Sequence, residues 1–192
     1  MSGRIEVITG PMFSGKSTEL LRRLRLAQIA RKRTAAFKHS SDARFSPDEI
    51  ATHAEQRGWA MAVSLAREIG ESWHGRGAAV VGIDEAQFFG ADLVEVVEEL
   101  ASRGKRVIVA GLNQDSFGRP FGPMPELLAR ADDLFLACAV CMVCGEEATK
   151  SFRKPGAQLS QVLVGADQEY EARCRSCWHQ GERAKETTRL VE

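Results

Sequence analysis

Gly10-Pro11-Met12-Phe13-Ser14-Gly15-Lys16-Ser17 opens ten residues into the chain. It is a complete G-x-x-x-x-G-K-S loop, whose backbone N–H groups wrap a polyphosphate at a helix N-terminus. In this pattern Lys16 brings a point charge to the β/γ oxygens, and Ser17 offers its hydroxyl to Mg²⁺. The regular expression also matches chance Gly-rich turns, so the flanks decide. Arg4-Ile5-Glu6-Val7-Ile8-Thr9 reads as a short strand. The segment from Lys16 to about Arg31 reads as a helix with Leu20, Leu24 and Ala27 on one face. Strand, loop and helix follow in the order the motif requires, so the chain is expected to bind a nucleoside triphosphate.

Outward from the loop, strand and helix signals alternate. Thr34-Ala35-Ala36-Phe37-Lys38 is a candidate second strand. Residues 39–58 are polar and lack an apolar period, which predicts a long loop of the kind that often serves as a lid. A short strand near Trp59–Val63 and a helix through Leu65–Trp73 are expected next. Ala78 to Glu85 reads as a strand buried on both faces, followed by a helix from about Ala91 to Ser102 with Leu93, Val96, Val97 and Leu100 at helical spacing. Arg106 to Leu112 is another buried strand. Such strands separated by helices predict a mainly parallel sheet with right-handed crossovers. From Cys138 the character changes to cysteines and short β-like runs with few helical periods. The expected division is therefore an α/β domain over 1–137 and a small second domain over 138–192.

A chain of 192 residues holds one substantial domain with room for such an appendage. Lys+Arg and Asp+Glu balance at 26 each, so no global field draws the protein to nucleic acid or to an anionic membrane, and neither partner is expected. Arg22, Arg23, Arg25, Arg31, Lys32 and Arg33 form a local basic cluster that reads first as a solvated helix face. No apolar run approaches bilayer length, and the first strand leaves no room for a signal peptide, so a cytoplasmic protein is expected. In a reducing compartment the five cysteines read as metal ligands rather than disulfides.

Asp84 and Glu85 end the buried strand beginning at Ala78. The carboxyl ends of parallel strands face the nucleotide crevice, where such an Asp holds Mg²⁺. Glu85 beside it suits a base that reaches a hydroxyl next to the γ-phosphate. The competing reading, two residues that merely cap the next helix, loses ground once the phosphate loop shares the chain. Cys141-x-x-Cys144 and Cys174-x-x-Cys177 have the spacing of a tetrahedral zinc site built from two knuckles. Gly145 suits the positive φ a knuckle turn needs. The 29 residues between the pairs exceed ordinary ribbon spacing, so the zinc would close a sizeable loop. Four thiolates leave no place for water, which makes the zinc structural. Cys138 with Cys141 is a rival pair, and His179 is a further possible ligand.

With these motifs the chain resembles the zinc-containing cellular and bacterial (type II) thymidine kinases over almost its whole length. The strings that carry the likeness are Pro11 to Leu20, Asp84-Glu85-Ala86-Gln87-Phe88-Phe89, Arg119-Pro120-Phe121-Gly122, the cysteine pairs, and Val164-Gly165-Ala166-Asp167 leading to Tyr170-Glu171-Ala172-Arg173-Cys174-Arg175. The resemblance implies a P-loop NTPase-like (RecA-like) parallel sheet with helices on both faces, plus a small C-terminal zinc-binding lasso domain. It implies transfer of the γ-phosphoryl of ATP to the 5′-hydroxyl of thymidine, and of deoxyuridine, with Mg²⁺ and structural Zn²⁺. Glu85 would be the base and Asp84 a Mg²⁺-side carboxylate, while Gly10 to Ser17 and Asp84 to Gln87 would contact ATP. Met12 and Phe88 would line the thymine pocket. The lasso, about Ser151 to Tyr170, would read the base edge near Val164 and Gly165 and set Tyr170 close to the sugar. Asp42 and Arg44 match a D-x-R, so Arg44 would approach the transferring group. A homotetramer inhibited by thymidine triphosphate is also implied.

Two stretches depart from the bacterial pattern. Where members read L-D-x-D-F-R-G-x-P-F, this chain has Leu112-Asn113-Gln114-Asp115-Ser116-Phe117-Gly118-Arg119-Pro120-Phe121, so the usual base-contacting aromatic falls on Ser116 and the usual Arg on Phe117. The familiar T-Q-R reads Ser151-Phe152-Arg153, so Ser151 keeps the hydroxyl and is expected among the substrate-binding residues, while Phe152 replaces an amide. Phe117 and Phe121 are the rings that could enter the space at Ser116, and Phe117 is expected to take over the stacking face. Two rivals remain: a deoxynucleoside kinase of broader base preference, and a zinc-containing nucleic-acid-binding ATPase. Balanced charge and 7% aromatic residues oppose the latter.

Overall fold

A computed structural model of the chain describes residues 3–41, 49–51, 57–155 and 169–189. In chain order its elements are β1 (Arg4–Thr9), α1 (Lys16–Ile29), β2 (Thr34–His39), β3 (Glu49–Ala51), β4 (Arg57–Trp59), β5 (Met61–Val63), α2 (Ala66–Glu71), α3 (Trp73–Gly77) and β6 (Val80–Asp84). There follow a single 3₁₀ turn (Ala86–Phe88), α4 (Asp92–Ser102), β7 (Arg106–Gly111), α5 (Met124–Ala129), β8 (Asp133–Leu136), β9 (Ala139–Val140), β10 (Glu147–Ala148), β11 (Lys150–Arg153), β12 (Tyr170–Arg173) and α6 (Arg175–Arg189). Six strands form one sheet in the order β5-β2-β6-β7-β1-β8. Every pairing in it is parallel. Since a parallel sheet needs crossovers, helices cover both faces.

Alternation along each strand sorts the core. Ile5 and Val7, Val81 and Ile83, Val107 and Val109 project to one face, where Leu93, Val97 and Leu100 of α4 and Met124 and Leu127 of α5 meet them. Ile8, Val80, Ile108 and Ala110 project to the other, against Leu20, Leu24 and Ala27 of α1. Helix α1 lies close on this face because Gly82 has no side chain. A Cβ there would fall 2.8 Å from Leu24 Cδ1. Leu20 and Leu24, both buried, each contribute about 1.5–3 kcal/mol by leaving water.

Several expected elements take a different form. The expected strand Trp59–Val63 is cut at Ala60: Trp59 ends an antiparallel pairing of β3 with β4, while Met61 begins a parallel edge strand beside β2. Within the expected 39–58 loop, β3 pairs with β4, and Ile50 of β3 is buried against the α1 face. The expected helix Leu65–Trp73 breaks at Ser72, whose extended backbone ends α2 and whose Oγ caps α3 by accepting Gly75 N–H at 2.9 Å. Helix α5 and strand β8 carried no expectation. Arg23 is not a solvated helix charge: it donates to Glu6 of β1 at 2.6 Å and to Asp133 of β8 at 2.8 Å.

The largest correction lies beyond Cys138, where few helical periods were expected and a fifteen-residue helix, α6, stands. Its inward face is Cys177, Trp178, Gly181 and Lys185, which has helical spacing but little apolar content. Gly181 presses on the Phe152 ring, where an added Cβ would lie 2.6 Å from Cε2. Arg173 and Lys185 cover the same ring at 3.5 and 3.8 Å. Phe152 therefore belongs to the core under α6. No helix among the described residues is long and apolar enough to cross a membrane.

Candidate active site

The carboxyl edge of the sheet gathers the three segments that the motifs single out. The phosphate loop leaves β1, Asp84 and Glu85 leave β6, and residues 112–122 leave β7, the strand between them. Thr9 Oγ1 donates to Gly111 O at 2.9 Å and locks β1 and β7 at this edge. Two glycines set the loop's path. Gly10, at φ 148°, passes so near the chain after β8 that a Cβ would fall 2.1 Å from Ala137 O. Gly15, at φ 78°, is the N-cap of α1 and has no side chain to occupy the first-turn N–H groups, so those donors and the helix dipole are available to an anion. Pro11 O accepts from Lys16 Nζ at 2.6 Å and from Ser14 Oγ at 2.7 Å, which holds both side chains over the loop.

Two contacts join this loop to the C-terminal unit, and neither was read from the sequence. Met12 N–H donates to Ser151 Oγ at 2.9 Å. Phe13, held at φ 65°, packs on the cluster of Cys141, Ala148, Ala172 and Cys177. A positive φ on an aromatic residue costs of order 1–3 kcal/mol, which the packing of its ring offsets. Phe13, expected among the ATP contacts, thus turns its ring toward the cysteines.

Asp84 is buried at the end of β6 and accepts Glu85 N–H at 3.0 Å. Glu85 also adopts the left-handed region, at φ 54° and ψ 39°, which throws its side chain off the strand direction. Gln87, expected at the ATP site, is buried and donates to Glu85 Oε2 at 2.5 Å. Phe88 and Phe121 meet edge to face with centroids 5.7 Å apart, so the two aromatics expected near the base stand together. Oxygen donors of the kind Ser17 and Asp84 supply suit a hard divalent cation.

The departing segment has its own order. Asp115 is buried, and its Oδ1 accepts Phe117 and Arg119 N–H at 2.9 Å each, folding residues 115–119 into a tight turn. Ser116 is buried and Phe117 is 40% exposed, so the ring has moved one residue along and outward. Arg119 and Arg153 each lie 5.4 Å from the Phe117 centroid. Arg153 also donates to Tyr170 Oη at 3.0 Å, so Phe117, Arg153 and Tyr170 form one cluster between this turn and the β11–β12 hairpin. Lys150 Nζ donates to Gln114 Oε1, and Trp178 Nε1 donates to Ser151 O at 3.2 Å, which fastens the hairpin on both sides. Asp42, Arg44, Val164 and Gly165 lie outside the described residues.

The sulfurs of Cys141, Cys144, Cys174 and Cys177 all lie within 4.8 Å of one another. Those of Cys144 and Cys174 are 3.7 Å apart, and a tetrahedral site with Zn–S near 2.3 Å puts its sulfurs about 3.8 Å apart. The four thiols therefore fit zinc. Gly145 takes φ 80° and returns its N–H to Cys141 O at 2.9 Å, closing the first knuckle. Burial pushes the Cys141 thiol up, but backbone N–H groups of Cys174, Cys144 and Val143 outweigh it and bring the thiol to about 6. Cys138 and His179 are not in this group. Cys138 pairs with Glu147, whose hydrogen bond, with burial, raises the thiol above its ordinary range.

A model of the thymidine kinase family matches residues 3–178. A thymidine kinase of Deinococcus radiodurans is 48% identical over 184 residues, covering 88% of this chain and 87% of that protein. One of Mycoplasma mobile is 44% identical over 183 residues, covering 95% and 90%. Among solved structures, the flagellar accessory protein FlaH of Methanocaldococcus jannaschii superposes with a TM-score of 0.51 at 12% identity, covering 76% of this chain and 75% of that one, a likeness of fold alone.

Proposed function

The chain belongs to the thymidine kinase family, and we propose that it transfers the γ-phosphoryl of ATP to the 5′-hydroxyl of thymidine with Glu85 as the base. The observation that carries the residue roles is the meeting, at one sheet edge, of a helix N-terminus left open by Gly15 and a carboxylate turned off its strand at Glu85. In the reaction the 5′-oxygen forms a bond to the γ-phosphorus as the β–γ bridge breaks. The electron pair of that bond leaves with ADP, and the 5′-hydroxyl proton passes to the Glu85 carboxylate. Because phosphoryl transfer has a loose transition state, positioning and charge neutralisation do most of the work. The loop amides and Lys16 hold the phosphates. Ser17 and Asp84 would hold Mg²⁺, which supplies charge neutralisation of the phosphate oxygens when bound.

Met12, Phe88 and Phe121 form the base site in this reading, with Tyr170 toward the sugar and Phe117 next to it. Arg44 approaches the phosphoryl group, and backbone groups of Val164 and Gly165 read the base edge. Residues 1–137 act as the ATP-binding domain and 138–192 as the lasso domain. Cys141, Cys144, Cys174 and Cys177 would hold zinc, which would fix the ends of the lasso when bound. The enzyme works in the cytoplasm as a homotetramer under feedback by thymidine triphosphate. The rival of broader deoxynucleoside specificity finds no support in relatives that are thymidine kinases at 44–48% identity.

The direct test incubates the enzyme with radiolabelled ATP and each common deoxynucleoside in turn. Label is expected on thymidine and deoxyuridine. Comparable label on deoxycytidine or a purine deoxynucleoside would overturn the specificity. Glu85→Gln keeps the shape and removes the proton acceptor, so kcat should fall roughly 10²-fold or more. Near-normal turnover in that variant would remove Glu85 as the base.

A further inference from the structure

Gln87 is 2% exposed and sits in the 3₁₀ turn between Glu85 and Phe88. A buried amide must satisfy a donor end and an acceptor end, and here the chemistry dictates which end goes where. Leu112 N–H can only donate, so it faces Gln87 Oε1, at 2.9 Å. Nε2 is then left pointing at Glu85 Oε2, at 2.5 Å. A Cβ on Gly111 would lie 2.9 Å from Gln87 Oε1 and 2.7 Å from Met124 Sδ. A Cβ on Gly122, at φ 51°, would lie 2.2 Å from Gln87 O. Two glycines of the β7 segment thus close on this one residue, from the side-chain end and the backbone end. On its near side Glu85 holds a strained left-handed backbone, which persists only where neighbours determine it.

We propose that Gln87 is a positioning residue for phosphoryl transfer: its amide holds Oε2 of Glu85 and ties that carboxylate to Leu112. The inference rests on Glu85 being the base. It also alters the role expected for Gln87, because both polar ends of the side chain are engaged within the protein rather than with ATP. Leu112 begins the segment that carries Asp115, Phe117 and Phe121, so the bridge joins the base site to the proton acceptor. A displacement of the 112–122 segment by an ill-fitting base would be passed to Glu85 through two hydrogen bonds. The bridge therefore ties turnover to correct base occupancy as well as to nucleotide binding.

The test is a double-mutant cycle on the full enzyme with Gln87→Leu, Glu85→Gln and their combination, measured as kcat and KM for ATP and thymidine. Misplacing a reacting group by about 1 Å costs on the order of 10²-fold. Gln87→Leu should therefore lower kcat roughly 10- to 100-fold while the KM for ATP stays within about twofold. In the Glu85→Gln background the same change should cost less than about threefold, because groups acting as one unit are not additive. Gly111→Ala, which crowds the amide without removing a polar group, should lower kcat in the same direction and by the same non-additive pattern. It carries the cycle if Gln87→Leu does not fold. Equal losses in both backgrounds, or a folded Gln87→Leu enzyme with wild-type kcat, would overturn the proposal. If Glu85→Gln itself turns over normally, the assignment of the base fails instead, and the single-variant corner of the cycle reports that separately.

Discussion

Ser151→Ala removes the hydroxyl that receives Met12 N–H at 2.9 Å, and with it a hydrogen bond between the phosphate loop and the C-terminal unit. Met12 is half-buried, so water can reach part of the freed donor. The loss should then lie near the net worth of a hydrogen bond, about 1 kcal/mol, rather than the full penalty of a sealed, unmet donor. If that energy holds the loop in its binding conformation, ATP affinity falls roughly fivefold. Phe13→Ala removes the other attachment, a half-buried ring on the cysteine-lined cluster, for about 1–2 kcal/mol. Since both attach the same loop, the double variant should lose less than the sum of the two. Titration calorimetry with MgATP measures the affinities, and thermal unfolding checks the fold. Ser151→Thr keeps the oxygen and suits a strand, so it should bind ATP like the wild type. If Ser151→Ala binds ATP normally while melting early, or Ser151→Thr fares as badly, the attachment is structural only and the coupling argument falls.

Chelation should strip one zinc per chain, and Cys144→Ser should release it while Cys138→Ser retains it; metal analysis of the purified variants decides, and the reverse result would move the site to the other pair. Phe117→Ala should raise the KM for thymidine by about fivefold to a hundredfold, as loss of a base-stacking ring costs about 1–3 kcal/mol. An unchanged KM would confine Phe117 to its contacts with Arg119 and Arg153. In acid, burial pushes the Glu6 carboxyl up, but hydrogen bonds from Arg106 and Arg23 outweigh it and hold it below its ordinary value. Glu19 is drawn from 4.5 to about 2, chiefly by its hydrogen bond to Arg22. Depressed carboxyl groups stabilise the fold above their unfolded values and lose that contribution as pH falls through their folded ones. Resistance to urea unfolding should thus fall as pH drops from 4.5 to about 2, and Glu6→Gln should make that fall shallower at a neutral-pH cost of about 1–3 kcal/mol. An unchanged acid slope would show that Glu6 does not contribute to it.

Local chemistry by itself determined the parallel core and the seats of the chemistry. The phosphate loop is contiguous, so Gly10, Gly15, Lys16 and Ser17 needed only their flanking strand and helix to be placed. Strands buried on both faces announce themselves as unbroken apolar runs, as from Val80 to Ile83 and from Val107 to Gly111. The C-x₂-C spacing marked two knuckles for the same reason, since a knuckle is closed by residues three apart. What only the tertiary structure decided involves partners far apart in sequence or faces built without apolar residues. Helix α6 packs through Gly181 and Lys185, whose fit depends on Phe152, so its periodicity is invisible to a hydrophobic count. The same ring, a substitution that put the base pocket in question, lies under that helix. Ser151 meets Met12 across 139 residues, and Gln87 meets Leu112 across 25. No period or motif relates such positions. Gln87 and Leu112 come together because parallel strands of one sheet deliver their carboxyl ends to a single edge, whereas the separate β11–β12 pair brings Ser151 to the phosphate loop.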